Sequence, residues 1–256
     1  PAMPGKPQIK YIQSLSLKKY RHRYGIYVIE GEKIVSEYIL NDYPLNNIYA
    51  VKDWILKNRA LLQRKKLAIT EVSERELKQI SLLATPHNVL ALARMPEMPS
   101  LQAIKSRLQH GLHLALEAIQ DPGNLGTIIR IADWFDIGSI FCSEDCVDAY
   151  NPKVVQASMG SLARVKIIYA GGMIKSLKSI PSLTSLPLYA ATPDGENIFA
   201  EELPTDAVIL IGNESKGLSE GLLKIAERRV GIPRYGKAES LNAAVAAGIV
   251  VAVFRR

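Results

Sequence analysis

The feature that most restricts the fold of this chain is a regular alternation of short apolar strands and helices in residues 112–254. The run from Val208 to Ile211 is apolar at every position, which is typical of a strand covered on both faces. The alternation predicts an α/β domain, with a mostly parallel sheet and helices on both faces. Strands are predicted at 112–119, 139–142, 188–191, 207–211 and 230–232, and helices at 125–135, 154–159, 171–180, 219–226 and 240–254.

A smaller α/β unit is predicted ahead of this domain. Pro96 and Pro99 interrupt the hydrophobic pattern and favour extended backbone before them, so domains are expected at 1–98 and 99–256. Ser73, followed three residues later by Glu76, predicts a capping box at the start of a helix. Strands are predicted in this part at 26–30, 48–51, 67–70 and 89–94, and further helices at 32–41 and 54–64.

The net charge of +7 lies entirely in the first part of the chain. Residues 1–98 contain 16 Lys and Arg against 9 Asp and Glu, whereas residues 99–256 contain 16 of each. Such one-sided charge favours a polyanionic partner, because each neutralised phosphate releases counterions. A basic surface that only aids solubility is the alternative that charge alone leaves open.

Composition indicates a protein with a substantial core and no membrane segment. Hydrophobic residues make up 48% of the chain, and no apolar run reaches the roughly 18 residues that a membrane span needs. Residues 1–10 have no apolar segment typical of a secretory signal. Cys142 and Cys146 have no second Cys pair or nearby His to complete a metal site. We therefore expect no metal, two structural thiols and a reducing, cytoplasmic location.

Three loops carry the candidate chemistry, and each follows a predicted strand, where open α/β sheets bind ligands. The first is 121–126 (DPGNLG), whose glycines allow close backbone approach before a helix N-terminus that attracts anions. Asn124 is placed to cap this helix or to orient a ligand. Arg130 lies about one and two-thirds helical turns further on, so its long side chain is placed to reach back toward the first loop. An ordinary turn with a solvated arginine is the alternative.

The second and third loops are 211–218 and 232–242. In the second, Glu214 lies between two glycines, which fits either a loop cap or a loop that encloses a ligand. In the third, Ser240 is a candidate N-cap, with Asn242 in the first turn of the following helix. The small residues at 243–248 indicate close packing in a core, at a subunit interface or around threaded backbone.

Several other site classes lack support in the sequence. No GxGxxG follows a strand, and no GxxxxGK[ST] phosphate loop is present. Each of the four histidines lies outside the three loops. Hydrolysis by a Ser–His pair is therefore not expected.

Together, the three loops resemble the motifs of the SpoU (TrmH-type) branch of the SPOUT methyltransferases, in order and spacing, over residues 112–254. The segment 158–161 (SMGS) also resembles a family segment near the reaction centre, whereas Ser215, Lys216 and Arg234 depart from the usual pattern. Residues 14–94 more loosely resemble the family's substrate-binding domain, similar to a ribosomal-protein RNA-binding fold, through 27–31 and 86–92. The matching motif residues are Asn124, Gly126, Arg130, Gly212, Asn213, Glu214, Gly217, Ile232, Pro233, Glu239, Ser240, Leu241 and Asn242.

The resemblance implies a C-terminal domain with a deep trefoil knot that forms an S-adenosylmethionine pocket, and it implies a homodimer. It also implies a structured RNA substrate, with rRNA favoured over tRNA because a substrate-binding domain precedes the knot. The implied catalytic residues are Asn124, Arg130, Glu214, Ser240 and Asn242. The implied cofactor-binding residues are Thr192, Ile211, Gly212, Ile232, Ser240, Leu241 and Asn242.

The implied reaction is attack of a ribose 2′-oxygen on the sulfonium methyl group, for which in-line placement supplies most of the rate. A guanidinium is a poor base at neutral pH, so Arg130 is interpreted as an electrostatic stabiliser or a phosphate clamp. Arg130 itself, Glu214 and a phosphate remain open as proton acceptors. The alternatives are a tRNA enzyme, a base methyltransferase, an rRNA enzyme that confers antibiotic resistance, and a non-catalytic ribosome-assembly factor with this fold.

Overall fold

Two units divide the chain in the computed structural model, which describes residues 5–171 and 175–256. The N-terminal unit comprises the described residues up to Glu97 together with Asp148–Ala163. The C-terminal unit comprises Met98–Val147 and the described residues of Arg164–Arg256. Residues 148–163 fall within the predicted range 99–256, yet they pack with the N-terminal unit.

The secondary structure alternates between helices and strands along most of the described chain. The α-helices are α1 (Lys6–Ser14), α2 (Lys18–Tyr24), α3 (Glu32–Leu40), α4 (Lys52–Lys57), α5 (Arg59–Lys65), α6 (Glu74–Ile80), α7 (Leu101–Arg107), α8 (Pro122–Trp134), α9 (Pro152–Ser158), α10 (Glu220–Leu223) and α11 (Ala243–Phe254). The strands are β1 (Ile26–Glu30), β2 (Leu45–Ala50), β3 (Ile69–Glu71), β4 (Val89–Arg94), β5 (Leu112–Leu116), β6 (Ser139–Cys142), β7 (Ile167–Tyr169), β8 (Leu188–Asn197), β9 (Ala207–Ile211) and β10 (Arg228–Gly231). Short 3-10 helices occur at Ser161–Ala163 and Leu177–Ser182.

The N-terminal unit is built on a sheet with the strand order β1-β4-β2-β3. Strand β4 pairs antiparallel with both β1 and β2, whereas β2 and β3 are parallel. The predicted capping box at α6 is confirmed, because Ser73 and Glu76 each accept a hydrogen bond from the other's backbone N–H. The predicted 54–64 helix is two helices, α4 and α5, that meet at Asn58.

Residues 148–163 are held in the N-terminal unit by polar and aromatic contacts. The guanidinium of Arg21 donates to the Asp148 carboxylate at 3.1 and 2.6 Å, and both side chains are buried. The Tyr150 ring lies 4.9 Å from that of Tyr27, and the Gln156 amide donates to the Glu30 carbonyl. Buried charge at Asp148 is therefore compensated within the same unit.

The C-terminal unit contains a sheet with the order β10-β8-β9-β5-β6-β7, in which the described strands pair in parallel throughout. Strands β5 and β9 lie at its centre and are buried at every position, so both of their faces are covered. Helices α8 and α11 pack against each other beside this sheet. The α/β class and the parallel sheet expected from the sequence are confirmed; the trefoil knot stays a prediction.

Some predicted boundaries differ from those of the structure. Strand β5 ends at Leu116 rather than at 119, because Ala118 adopts a left-handed conformation with φ 55°. Strand β7 was missed, since three residues show too little periodicity to register. Of the predicted helix 171–180, residues 172–174 lie outside the described part, and a 3-10 helix begins at Leu177. No helix in the described ranges is long and apolar enough to span a bilayer.

Candidate active site

Three side chains from the three predicted loops form one hydrogen-bonded chain. The Asn124 amide donates to Oε1 of Glu214, and the Asn242 amide donates to Oδ1 of Asn124 at 2.8 Å. Asn242 Oδ1 in turn accepts from the backbone N–H groups of Ala244 and Val245. This series of hydrogen bonds links the N-terminus of α11, through the amides of Asn242 and Asn124, to the Glu214 carboxylate. The three loops therefore converge at Asn124, Glu214 and Asn242.

The first loop is shaped by the start of α8. Asp121 is the N-cap, and its carboxylate accepts from the backbone N–H of Asn124 at 2.8 Å. Pro122 occupies the first helical position, where its missing N–H is not needed. The cap is therefore Asp121 and not Asn124, and the helix begins three residues earlier than predicted. Capping by Asp121 leaves the Asn124 side chain to bind Glu214.

The second loop folds back tightly after β9. Asn213 accepts from the backbone N–H groups of Ser215 and Lys216, and its amide donates to the carbonyl of Ala118 at 2.9 Å. A Cβ atom on Gly212 would lie 2.3 Å from the backbone carbon of Gly217, so only glycine fits there. These contacts fix the loop that carries Glu214. Sequence reasoning missed the supporting role of Asn213, although an Asn directly after a strand and before a turn is a usable signal.

The third loop ends at Asn242, which is the N-cap of α11. Its side chain accepts from two backbone N–H groups, at 3.0 and 3.2 Å. The interpretation of Ser240 as the N-cap is therefore wrong, since the helix begins at Ala243. Ser240 and Leu241 are exposed, and Ile232 is half-buried just after β10.

Strands β8 and β10 pair irregularly. Ala190 pairs with Arg229, but the next pair joins Glu196 to Val230, so residues 191–195 leave the ladder. A Cβ on Gly195 would lie 2.4 Å from the backbone of Val230, which shows how closely strands β8 and β10 approach each other. The Thr192 hydroxyl is buried in this segment without a hydrogen-bond partner in the described part of the chain. Its contact with the exposed Asp194 carboxyl is the main cause that lowers the pKa of that group.

Arg130 does not join the hydrogen-bonded chain. It is exposed on α8, and within residues 5–171 and 175–256 it has no ion-pair or hydrogen-bond partner. Six residues of helix place it about 9 Å along the axis from Asn124. Arg130 is thus an uncompensated cation on the helix that carries Asn124.

The two cysteines are free and buried at the end of β6 and in the turn after it. Hydrogen bonding to Cys142 is the main cause that lowers the pKa of Cys146 to about 7, while the pKa of Cys142 is raised well above its usual value. The Cys146 sulfur accepts from the backbone N–H of Ile119 at 3.3 Å. The Cys146 sulfur also donates to the carbonyl of Leu116, so this thiol packs against the end of β5.

Comparison with known proteins identifies the family to which this fold and site belong. Residues 111–252 match the SpoU rRNA Methylase family, and residues 6–91 match the MRM3-like substrate binding domain. Because the first match covers more than half of the sequence, the chain belongs to the SpoU rRNA methylase family. The resemblance stated from the sequence motifs is confirmed.

Individual relatives agree over nearly the whole chain. The 23S rRNA (guanosine(2553)-2′-O)-methyltransferase RlmP of Bacillus subtilis is 28% identical, over 95% of this chain and 94% of that protein. A TrmH-family protein from Porphyromonas gingivalis is 32% identical with a TM-score of 0.86, and covers 99% of both chains. The AdoMet-bound rRNA methyltransferase from Sinorhizobium meliloti is 26% identical with a TM-score of 0.83, over 98% of this chain and 94% of that one.

Proposed function

We propose that this protein transfers a methyl group from S-adenosylmethionine to a ribose 2′-hydroxyl of rRNA. The observation that carries the proposal is the hydrogen-bonded chain Asn242–Asn124–Glu214, which joins the three family motifs at one place. Relatives whose names specify rRNA 2′-O-methylation support the choice of rRNA and of the ribose.

The residues present fit an S-adenosylmethionine pocket. The Thr192 hydroxyl is buried with only the exposed Asp194 carboxyl beside it, so it is placed to bind a polar ligand. Gly212 and Gly195 allow the backbone segments that would border the cofactor to pack closely. We assign cofactor binding to Thr192, Ile211, Gly212, Ile232, Ser240, Leu241 and Asn242. When bound, the cofactor supplies an electrophilic methyl group on a sulfonium centre.

The protein's own contribution is positioning and electrostatics. Asn124 holds one oxygen of Glu214, so the other oxygen is available to accept a hydrogen bond from a ribose hydroxyl. Arg130 is a permanent cation and has no internal partner in the described part of the chain, so it stabilises negative charge that develops on the attacking oxygen. Because a guanidinium does not deprotonate at neutral pH, we assign the proton to Glu214 rather than to Arg130.

We further propose that the N-terminal unit binds RNA and that the protein forms a homodimer through its C-terminal unit. The N-terminal unit, which carries the basic excess, binds RNA. In the C-terminal unit, Trp134 on α8 is 84% exposed and Val245 on the adjacent α11 is 51% exposed, an apolar surface that a second copy would cover. Arg130 lies one turn from Trp134, so RNA would reach the site beside this interface. Free Cys142 and Cys146 support a cytoplasmic location.

The test is methylation of an rRNA transcript with radiolabelled S-adenosylmethionine, followed by mapping of 2′-O-methyl positions. Arg130→Ala should abolish turnover while calorimetry shows nearly unchanged cofactor affinity, because Arg130 acts on the ribose side. Equal loss of both would contradict that role. A protein that binds no S-adenosylmethionine at all would instead be a non-catalytic assembly factor. Methylation of tRNA alone would overturn the choice of rRNA.

A further inference from the structure

The basic excess of the chain is concentrated in its first residues. Residues 1–29 contain six Lys and Arg residues and no Asp or Glu, which accounts for most of the net charge of +7. The first acidic residue is Glu30, which is 3% exposed and hydrogen-bonded to Ser81 and to the backbone of Leu82. A buried carboxylate with internal partners offers no counter-charge to ligands at the surface.

Helix α2 (KKYRHRY) separates its cations into one inward and several outward groups. Arg21 is 1% exposed and makes four hydrogen bonds, to Asp148 and to the carbonyls of Leu15 and Ser16. This anchor fixes the helix by one face. Lys18, Lys19, His22 and Arg23 are exposed on the rest of it, and none has an ion-pair partner in the described part of the chain.

The same helix presents aromatic rings beside these cations. Tyr24 is 42% exposed and is held edge-on by Tyr11, with ring centroids 5.0 Å apart. Tyr20 lies nearly parallel to it, at 6.2 Å and 14°. The cation of Lys19 is 5.8 Å from the Tyr20 ring, and that of Arg23 is 5.7 Å from the Tyr24 ring. An exposed aromatic ring beside cations that have no ion-pair partner in the described part of the chain is the combination that binds single-stranded RNA.

We propose that the α2 surface (Lys18, Lys19, Tyr20, His22, Arg23 and Tyr24) binds unpaired nucleotides of the RNA substrate. The cations of Lys18, Lys19 and Arg23 contact phosphates, and an unstacked base packs on the exposed part of the Tyr24 ring. A duplex offers phosphates but keeps its bases stacked, so it would leave the tyrosine face unused. The proposal deepens the rRNA-binding role proposed above and rests on it.

The test measures binding to a 20-nucleotide single-stranded RNA and to a 20-base-pair RNA duplex across a range of salt concentrations. Replacing Lys18, Lys19 and Arg23 by Ala should reduce the slope of log affinity against log salt by about 2, at about 0.7 for each lost phosphate contact. The matched control replaces Lys52, Lys57 and Arg59, three cations of α4 and α5 in the same unit, and should leave the slope unchanged. Equal effects of both triple variants would overturn the proposal.

Tyr24→Ala should weaken single-strand binding about ten-fold and leave duplex binding unchanged, whereas Tyr24→Phe keeps the ring and should bind like the wild type. Circular dichroism shows whether each variant folds, and the triple variant tests the surface independently if Tyr24→Ala does not. Equal loss on single strand and duplex would overturn the stacking role. Charge-dependent binding to phosphatidylserine vesicles, without RNA binding, would assign the surface to membranes instead.

Methylation assays separate this proposal from the proposed function. The α2 variants should raise KM for rRNA while kcat stays unchanged, because the α2 surface binds substrate away from the reacting atoms. If the wild type methylates rRNA and the triple variant has an unchanged KM, only the α2 proposal fails. If no rRNA is methylated but the oligonucleotide results hold, only the proposed function fails.

Discussion

The side-chain amide of Asn124 donates a hydrogen bond to the carboxylate of Glu214, ninety positions further along the chain. The same Asn124 accepts from Asn242, so its amide is oriented from both ends. A carboxylate held in this way loses rotational freedom before any substrate arrives. This preorganisation is the property from which the first two predictions follow.

Asn124→Ala should lower kcat for RNA methylation about 100-fold, because Glu214 loses the group that positions it. Single-turnover kinetics with saturating cofactor would measure the effect. Thr127→Ala is the matched control, since Thr127 is exposed on the same helix and has no hydrogen-bond partner in the described chain. If the two variants lost activity equally, disturbance of α8 rather than of Glu214 would be the cause.

Asn242 has two separable tasks, which two substitutions distinguish. Asn242→Ala removes the cap of α11 and should cost about 1 kcal/mol of unfolding free energy, along with activity. Asn242→Asp keeps a capping oxygen but loses the amide that donates to Asn124, so it should retain stability and lose activity. Urea unfolding and a methylation assay measure the two effects. An active Asn242→Asp protein would show that the bond to Asn124 is dispensable.

Gly195→Ala should abolish S-adenosylmethionine binding, as measured by calorimetry. Its Cβ would meet the backbone of Val230 at 2.4 Å and force β8 and β10 apart beside Thr192, which we assign to the cofactor site. The control is Gly236→Ala, at a glycine whose added Cβ would meet nothing within 4 Å. Wild-type cofactor affinity in Gly195→Ala would place the pocket elsewhere.

Arg21→Ala should destabilise the protein by about 3–5 kcal/mol, because Asp148 would remain buried with its charge unpaired. Arg23→Ala, on the same helix but exposed, should change stability by less than about 0.5 kcal/mol. Chemical unfolding of both variants makes the comparison. A small loss at Arg21 would mean that water reaches Asp148.

His113 makes stability depend on pH. Burial lowers the pKa of this imidazole below 6.5, and Nε2 lies 3.0 Å from the carbonyl of His110. Because the unfolded state then binds the proton more readily, stability is complete above about pH 6.5 and falls as pH drops toward the folded pKa. His113→Gln should remove this dependence below about pH 6.5. Identical pH profiles of the two proteins would refute the assignment.

Local sequence predicted the elements whose structure depends on their own residues. The bounds of β1, β4, β6 and β9 agree with the apolar runs, because alternating or continuous apolar residues allow few other conformations. The capping box at Ser73 was found for the same reason, since both partners lie within one turn. The motifs also led to the methyltransferase family, because their order and spacing are properties of the sequence.

Tertiary structure decided which of several polar residues does which task. Ser240 and Asn242 are both good N-caps by type, but only the path of the chain after β10 determines that Asn242 caps α11. The return of residues 148–163 to the N-terminal unit depends on Arg21, 127 positions away from Asp148. Likewise, nothing near Asn124 in the sequence reveals that its partner is Glu214. Contacts between distant residues follow from how strands pack, and composition and periodicity do not encode that packing locally.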